Sequence, residues 1–348
     1  MSFTKYNGLG VSGLQNLGNT CYINSVLQVL NYTYELHEII EDKIDKNNIN
    51  KEKVETVILK EWWDLKTIMF NNNGVVSPNK FIHFLKDVAN KKKIDTFSGH
   101  DQNDLTELFH FTINCFHSSI SRPTQVSLSG DPKTGKDKLA EACFKLLKEL
   151  YKKEYSEIMT LFQGIYVSLL YSDDKKTIKS FKPEVFLSLD LSVSQTTRNL
   201  YDCLDGFIDP ELMDGDNAWY NEETCKKENV YKNMSFWSFP DVLCICLKRF
   251  NICGTKKNNI SIEYPVTGLD LSKYSIGYNS HKYVYDLYAV CNHVGGMSYG
   301  HYYVYIKNSE NKWILFNDDS VSVIDDIEKL FSPHAYCLFY RIRATTMT

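Results

Sequence analysis

The sequence predicts an α+β chain built as two lobes with a cleft between them. Helix-type periodicity dominates up to about Leu161, and short β-branched or aromatic runs dominate after it. No internal repeat or long low-complexity linker interrupts the 348 residues. With 43% apolar and 14% aromatic residues, the chain can bury a substantial core.

The first helix starts at Cys21, where Ile23, Val26, Leu27 and Leu30 recur at i, i+3, i+4 and i+7 spacing, with Thr20 as its N-cap. A second is expected over 101–116. A third carries the stripe Leu139, Ala142, Cys143, Leu146, Leu147 and Leu150. Strands are expected over 165–171, 185–191, 243–247, 284–291, 302–306 and 313–316, with polar turns over 172–176 and 254–259.

Composition excludes several classes. No run of about eighteen apolar residues exists, so no membrane span is expected. Residues 1–10 are polar and lack the apolar segment of a signal peptide. The net charge is −4 with both signs mixed along the chain, which argues against a nucleic-acid partner. The ten cysteines show no disulfide framework and read as free thiols of a cytoplasmic or nuclear protein.

Two segments carry chemistry. In Gly13-Leu14-Gln15-Asn16-Leu17-Gly18-Asn19-Thr20-Cys21, a glycine-bearing loop delivers a cysteine to a helix start. Unpaired N–H groups and the positive end of the helix dipole favour a thiolate there. The same loop can supply donors to an oxyanion, and Asn16 adds a side-chain amide. In Asn292-His293-Val294-Gly295-Gly296-Met297-Ser298-Tyr299-Gly300-His301-Tyr302, a glycine loop places His301 at the start of a strand. The run Trp313-Ile314-Leu315-Phe316-Asn317-Asp318-Asp319 is a strand with polar groups at its end, suited to orienting an imidazole. Alone, Cys21 reads as a packing cysteine and His301 as a solvated turn histidine. Together they read as nucleophile and base.

These two segments resemble the cysteine and histidine boxes of the ubiquitin-specific proteases, papain-like deubiquitinating enzymes. Between them, Gln102-Asn103-Asp104-Leu105-Thr106-Glu107, Leu161-Phe162-Gln163-Gly164, the stretch 240–250 ending in Leu247-Lys248-Arg249-Phe250, Tyr264-Pro265 and Leu269-Asp270-Leu271 follow in the family's order. The resemblance implies one catalytic domain over 1–348. A helical thumb would span about 1–160, fingers and part of the palm 161–240, and a palm bearing the catalytic histidine 241–348, with the cleft between thumb and palm. It implies Cys21 as nucleophile, His301 as base, Asn317 as third triad member, Asp318 as supporting acid and Asn16 in the oxyanion hole. Ubiquitin or its conjugates would be the partner and substrate, cleaved through an acyl-enzyme without a cofactor. Gln102, Asp104 and Glu107 would meet ubiquitin's arginine-bearing tail, with Asp104 and Glu107 sharing one helix face. Gly295, Gly296 and Tyr302 would line the passage for its terminal glycines.

The chain departs from that pattern at the zinc site many members carry. The four positions fall at Ser172, Lys175, near Glu222 and at Cys225, where one thiolate is too few for a structural zinc, so no metal is expected. Gly130-Asp131-Pro132-Lys133-Thr134-Gly135-Lys136-Asp137 mimics a P-loop, but Asp137 stands where Ser or Thr would bind magnesium. A polar loop capping the following helix is the expected reading. Two alternatives remain at this level: a catalytically silent ubiquitin-binding module of the same fold, and a protease for another ubiquitin-like protein. The presence of Cys21, His301, Asn317 and Asn16 favours an enzyme.

Overall fold

The computed structural model describes residues 3–99, 101–174, 177–251, 253–296 and 299–343. Lys175 and Lys176 of the expected turn and zinc positions, and Met297 and Ser298 of the glycine loop, lie outside them. The helices are Cys21–Asn31 (α1), Tyr34–Asp45 (α2), Thr56–Asn71 (α3), Asn79–Lys91 (α4), Leu105–Ile120 (α5), Gly135–Lys153 (α6), Glu157–Phe162 (α7) and Leu200–Ile208 (α8). The strands run from Gly13–Leu14 (β1) and Val75–Val76 (β2) to Gly164–Ser172 (β3), Ile178–Phe186 (β4), Ser188–Ser192 (β5), Glu211–Met213 (β6), Trp219–Asn221 (β7) and Lys226–Glu228 (β8). Val230–Ser238 (β9), Val242–Lys248 (β10), Thr267–Asp270 (β11), Val284–Gly295 (β12), Gly300–Lys307 (β13), Trp313–Asn317 (β14), Ser320–Ile324 (β15) and Ala335–Ile342 (β16) complete them.

The helical half and the sheet half meet at one large core. The main sheet follows the order β15-β14-β13-β12-β16-β10-β5, with β11 paired to β12. Its pairings are antiparallel except β10 with β5. Side chains alternate faces along each strand. Val242, Cys244 and Cys246 of β10 therefore join the core under α1 and α5, while Leu243, Ile245 and Leu247 join the opposite core with Leu200 and Leu204 of α8. A second sheet, β4-β3-β9-β6, projects from the first. Among the described residues no helix is long and apolar enough to cross a membrane.

Helix α1 is buried along its whole length, polar residues included, because it is wedged between the sheet and the other helices. Each large apolar side chain fully buried this way contributes roughly 1.5–3 kcal/mol. The second helix starts four residues later than the sequence suggests. Asp104 is its N-cap, accepting from the backbone N–H groups of Thr106 and Glu107 at 2.7 and 3.1 Å. The expected 185–191 strand is two: β4 ends at Phe186 in the second sheet, and β5 begins at Ser188 in the main one. Before α6, Thr134 and Asp137 form a reciprocal capping box, the role played by the P-loop look-alike. Only Leu139, Ala140 and Cys143 of α6 are fully buried, so the rest of its stripe lies half-covered at the surface.

The short β1 strand docks tightly against the turn after β14. A Cβ added at Gly13 would lie 2.4 Å from the Asp319 carbonyl oxygen, a backbone atom with little room to give. Gly13→Ala is expected to destabilise the fold by about 1–3 kcal/mol, read as a lower urea midpoint at unchanged slope. An unchanged midpoint would mean that the turn shifts freely.

Candidate active site

The loop before α1 is shaped by its own backbone and by the turn after β14. Gly18 sits at φ +93° and Asn19 at φ +54°, conformations that glycine and asparagine tolerate best. The N–H groups of Gly13 and Gln15 donate to the carbonyls of Gly74 and Val76 at 3.0 and 2.9 Å, and that of Leu14 to Asp318 at 2.8 Å. Thr20 holds the N-cap position, but its side chain does not cap the helix. Its hydroxyl instead accepts from the Leu17 N–H at 2.9 Å and donates to Asn16 Oδ1 at 3.2 Å.

Cys21 is the first residue of α1 and is 1% exposed. Its N–H belongs to the first helical turn, which has no intrahelical acceptor. Its thiol acts on the His301 ring, which it raises. The other side of that ring is held by Asn317: the amide oxygen can only accept, so His301 Nε2–H donates to Asn317 Oδ1, at 2.6 Å. That leaves Nδ1 for the thiol. The Cys21 thiol is the main reason the imidazole is raised to about 9, with burial opposing it and Asn317 adding to it.

Asn317 ends β14, and Asp318 turns the chain at φ +52°. The Asp318 carboxylate accepts from Asn16 Nδ2 and from Asn24 Nδ2, both at 2.8 Å. The Asn16 carbonyl accepts from the N–H groups of Gly18 at 3.0 Å and Thr20 at 3.3 Å, as well as from the Thr20 hydroxyl. Its NH2 group therefore faces Asp318. Asn24 also donates to the Leu14 carbonyl at 3.2 Å, and Gln28 Nε2 donates to that of Ser12 at 2.8 Å. Sequence reasoning passed over both residues. The signal was available: the N-cap Thr20, Asn24 and Gln28 recur every four residues along a mostly apolar helix.

The residues expected to grip a peptide tail are arranged less simply. Gln102 Nε2 donates to the Gly300 carbonyl at 2.7 Å and to Asn19 Oδ1 at 3.4 Å, spanning the cysteine loop and the histidine hairpin. Asp104 is the N-cap of the helix rather than a residue within it, and it accepts from the N–H of Glu107. Its second carboxylate oxygen accepts from the Tyr336 hydroxyl. Glu107 is exposed, and its carboxyl is raised by partial shielding and by the Asp104 charge. Gly295, at φ +104°, is required by its own hairpin, since a Cβ there would meet the Tyr299 carbonyl at 2.6 Å. The N–H of Gly296 donates to that carbonyl at 2.7 Å. Tyr302 is buried, its ring 4.5 Å from that of His293.

At the expected zinc positions, Ser172 ends β3, and Glu222 and Cys225 lie in the exposed turn between β7 and β8. Among the described residues no group of three or more His, Cys, Asp or Glu could hold a metal ion. Cys246, Cys337 and Cys291 are instead register neighbours across β10, β16 and β12, where Thr106 Oγ1 lies 3.4 Å from Cys246 Sγ and 3.1 Å from Cys337 Sγ.

A thiol at a helix start, an imidazole on the facing sheet and an amide behind it define a papain-like cysteine-hydrolase architecture. The chain belongs to the ubiquitin carboxyl-terminal hydrolase family, whose model matches residues 12–340. It is 30% identical over 354 residues to ubiquitin carboxyl-terminal hydrolase 2 of Bos taurus, covering 96% of this chain and 55% of that protein. It is 26% identical over 428 residues to a probable ubiquitin carboxyl-terminal hydrolase of Acanthamoeba polyphaga mimivirus, covering 96% of this chain and 90% of that one. The chain thus spans about half the length of the bovine relative and most of the viral one. Among solved structures it resembles the SAGA Ubp8/Sgf11/Sus1/Sgf73 DUB module bound to ubiquitin aldehyde, at a TM-score of 0.73 and 25% identity, covering 97% of this chain and 71% of that one.

Proposed function

We propose that this chain is a thiol-dependent deubiquitinase that hydrolyses the peptide or isopeptide bond after the C-terminal glycine of ubiquitin. The observation that carries this reading is the His301 ring, bonded to Asn317 at 2.6 Å and raised chiefly by the Cys21 thiol at the head of α1. Cys21 attacks the glycine carbonyl as a thiolate. The oxyanion is received by the Cys21 N–H at the head of α1 and by Asn16 Nδ2. His301 gives its proton to the departing amine, leaving a thioester, then takes a proton from the water that hydrolyses it. Asn317 keeps the ring in register through both halves, and Asp318 holds the Asn16 amide. Glu107, with Gln102 and the Asp104 turn, offers negative charge and hydrogen bonds to an arginine-bearing tail, which enters past Gly295, Gly296 and Tyr302. The ten free thiols suit a reducing cytoplasmic or nuclear compartment.

Ubiquitin carrying a C-terminal electrophile tests this reading. A covalent adduct on Cys21, located by peptide mass spectrometry, is the expected result. Tight binding without an adduct would indicate a silent ubiquitin-binding module. An adduct only with a different ubiquitin-like protein would change the substrate, and no interaction with any of them would reject the reading.

A further inference from the structure

Lys257 lies outside the catalytic line, yet it reaches into the hairpin that carries His301. It belongs to the loop after β10, which closes on itself through a bridge between Phe250 and Lys257. From there its ammonium crosses to β12, where it donates to the His293 carbonyl and lies 3.0 Å from His293 Nδ1. Phe250 flanks this contact, its ring 5.7 Å from the ammonium and 5.7 Å from the His293 ring.

His293 in turn fixes the other strand of the hairpin. Its register partner across β12 and β13 is Tyr302, and its ring packs between Tyr302 and Tyr336 at 4.5 and 5.8 Å. Its Nε2 lies so close to Gly300 that a Cβ there would come within 2.3 Å of it. Gly300 directly precedes His301, and its carbonyl accepts from Gln102 on the helical side of the cleft. Any shift of the His293 ring therefore reaches the backbone on which His301 is mounted.

We infer that Lys257 is a positioning residue, a clamp that ties the loop after β10 to the β12–β13 hairpin through His293 and so sets the seat of His301 and the width of the tail passage. This rests on the proposed deubiquitinase reading and adds a residue to it. The ring half of the contact works only while His293 is neutral, because an ammonium can donate to Nδ1 only if that nitrogen keeps its lone pair. Every nearby charge favours the neutral form. Burial is the largest influence, followed by Lys257 itself, His301 and His334, and together they hold His293 at about 4. Tyr302 and Tyr336 face the ring as neutral groups, both raised by burial. Lys257 is lowered to about 8 by burial and by Arg249, so it remains a cation at neutral pH.

The test compares wild type, Lys257→Met and Lys257→Arg. Steady-state kinetics with a fluorogenic ubiquitin C-terminal amide are measured from pH 5 to pH 9, and the His293 ring is titrated by NMR. Lys257→Met is expected to lower kcat/KM by about ten- to a hundredfold, mostly through KM. It is also expected to raise the His293 titration, because Lys257 is the largest of the charges that lower it, and so to add an acidic limb absent from the wild type. Lys257→Arg restores most of the activity, and the double variant Lys257→Met with His293→Asn loses the new limb. Should Lys257→Met not fold, Lys257→Gln carries the same comparison. An unchanged pH profile and an unchanged His293 titration would overturn the clamp, as would a loss of activity that shows no new limb and no rescue by arginine. The NMR titration needs no substrate, so an inactive wild type would reject the deubiquitinase reading while the clamp is judged by the titration.

Discussion

Cys21→Ala is expected to lower kcat/KM towards ubiquitin amides by about 10⁴-fold or more, while leaving ubiquitin affinity largely intact. In the proposed mechanism the thiol is the group that forms a bond to the substrate. His301→Ala should cost nearly as much, and the double variant little more than either, because residues acting as one unit are not additive. The imidazole adds a pH signature. It is held at about 9, chiefly by the Cys21 thiol, so it stays protonated through neutral pH and can supply the leaving amine with a proton. Above that value the proton is gone. The kcat/KM profile should therefore fall on its basic side with a midpoint of about 9, and Asn317→Ala should move the midpoint down by removing one of the contacts that raise it. Full turnover by Cys21→Ala, or a profile flat through pH 10, would remove this pair from the chemistry.

The poles of the site were legible in the sequence because each lies on a short local pattern. A glycine-bearing loop entering a helix at Cys21, and a glycine hairpin leading to His301, can be read without knowing how the chain folds back. The contacts between them cannot. Asn24 and Gln28 read as surface residues of an amphipathic helix until α1 is seen to be buried on every side. Asp104 reads as a helix residue until it is seen to cap that helix. Helix α3 escaped for a different reason. In α3, Val57, Trp63 and Ile68 lie off the buried face, which carries Ile58, Leu59, Trp62, Leu65 and Met69, and so blur the period. The β16 strand is a continuous apolar run ending the chain's core, and no alternation marks it because it is buried on both faces. Where one strand was expected over 185–191, the chain changes sheets at Leu187, a decision made by tertiary packing.

Asp318 should prove as important to turnover as Asn317, although it never touches the imidazole. Asn317 makes one hydrogen bond to the His301 ring. Asp318 secures three points around the thiol: the Leu14 N–H through its backbone carbonyl, and the amides of Asn16 and Asn24 through its two carboxylate oxygens. In the proposed mechanism Asn16 is the group offered to the oxyanion, and an oxyanion donor acts only if it is aimed before charge develops. Alanine would be a poor probe, since φ +52° is strained for it and the backbone contact would suffer as well. Asp318→Asn avoids this, because asparagine tolerates that conformation. It keeps one acceptor and turns an NH2 group towards the other amide, so one of the two contacts becomes a clash of donors. The expected result is a fall in kcat of about 10²–10³-fold with little change in KM, and slower adduct formation with electrophilic ubiquitin. The fold should lose only about 1–3 kcal/mol, because Asn24 keeps its bond to the Leu14 carbonyl. Wild-type kcat in Asp318→Asn would mean that the Asn16 amide is aimed by its own loop alone, through the Gly18 and Thr20 contacts, and that the acid is dispensable. A rise in KM at constant kcat would instead place Asp318 in substrate binding.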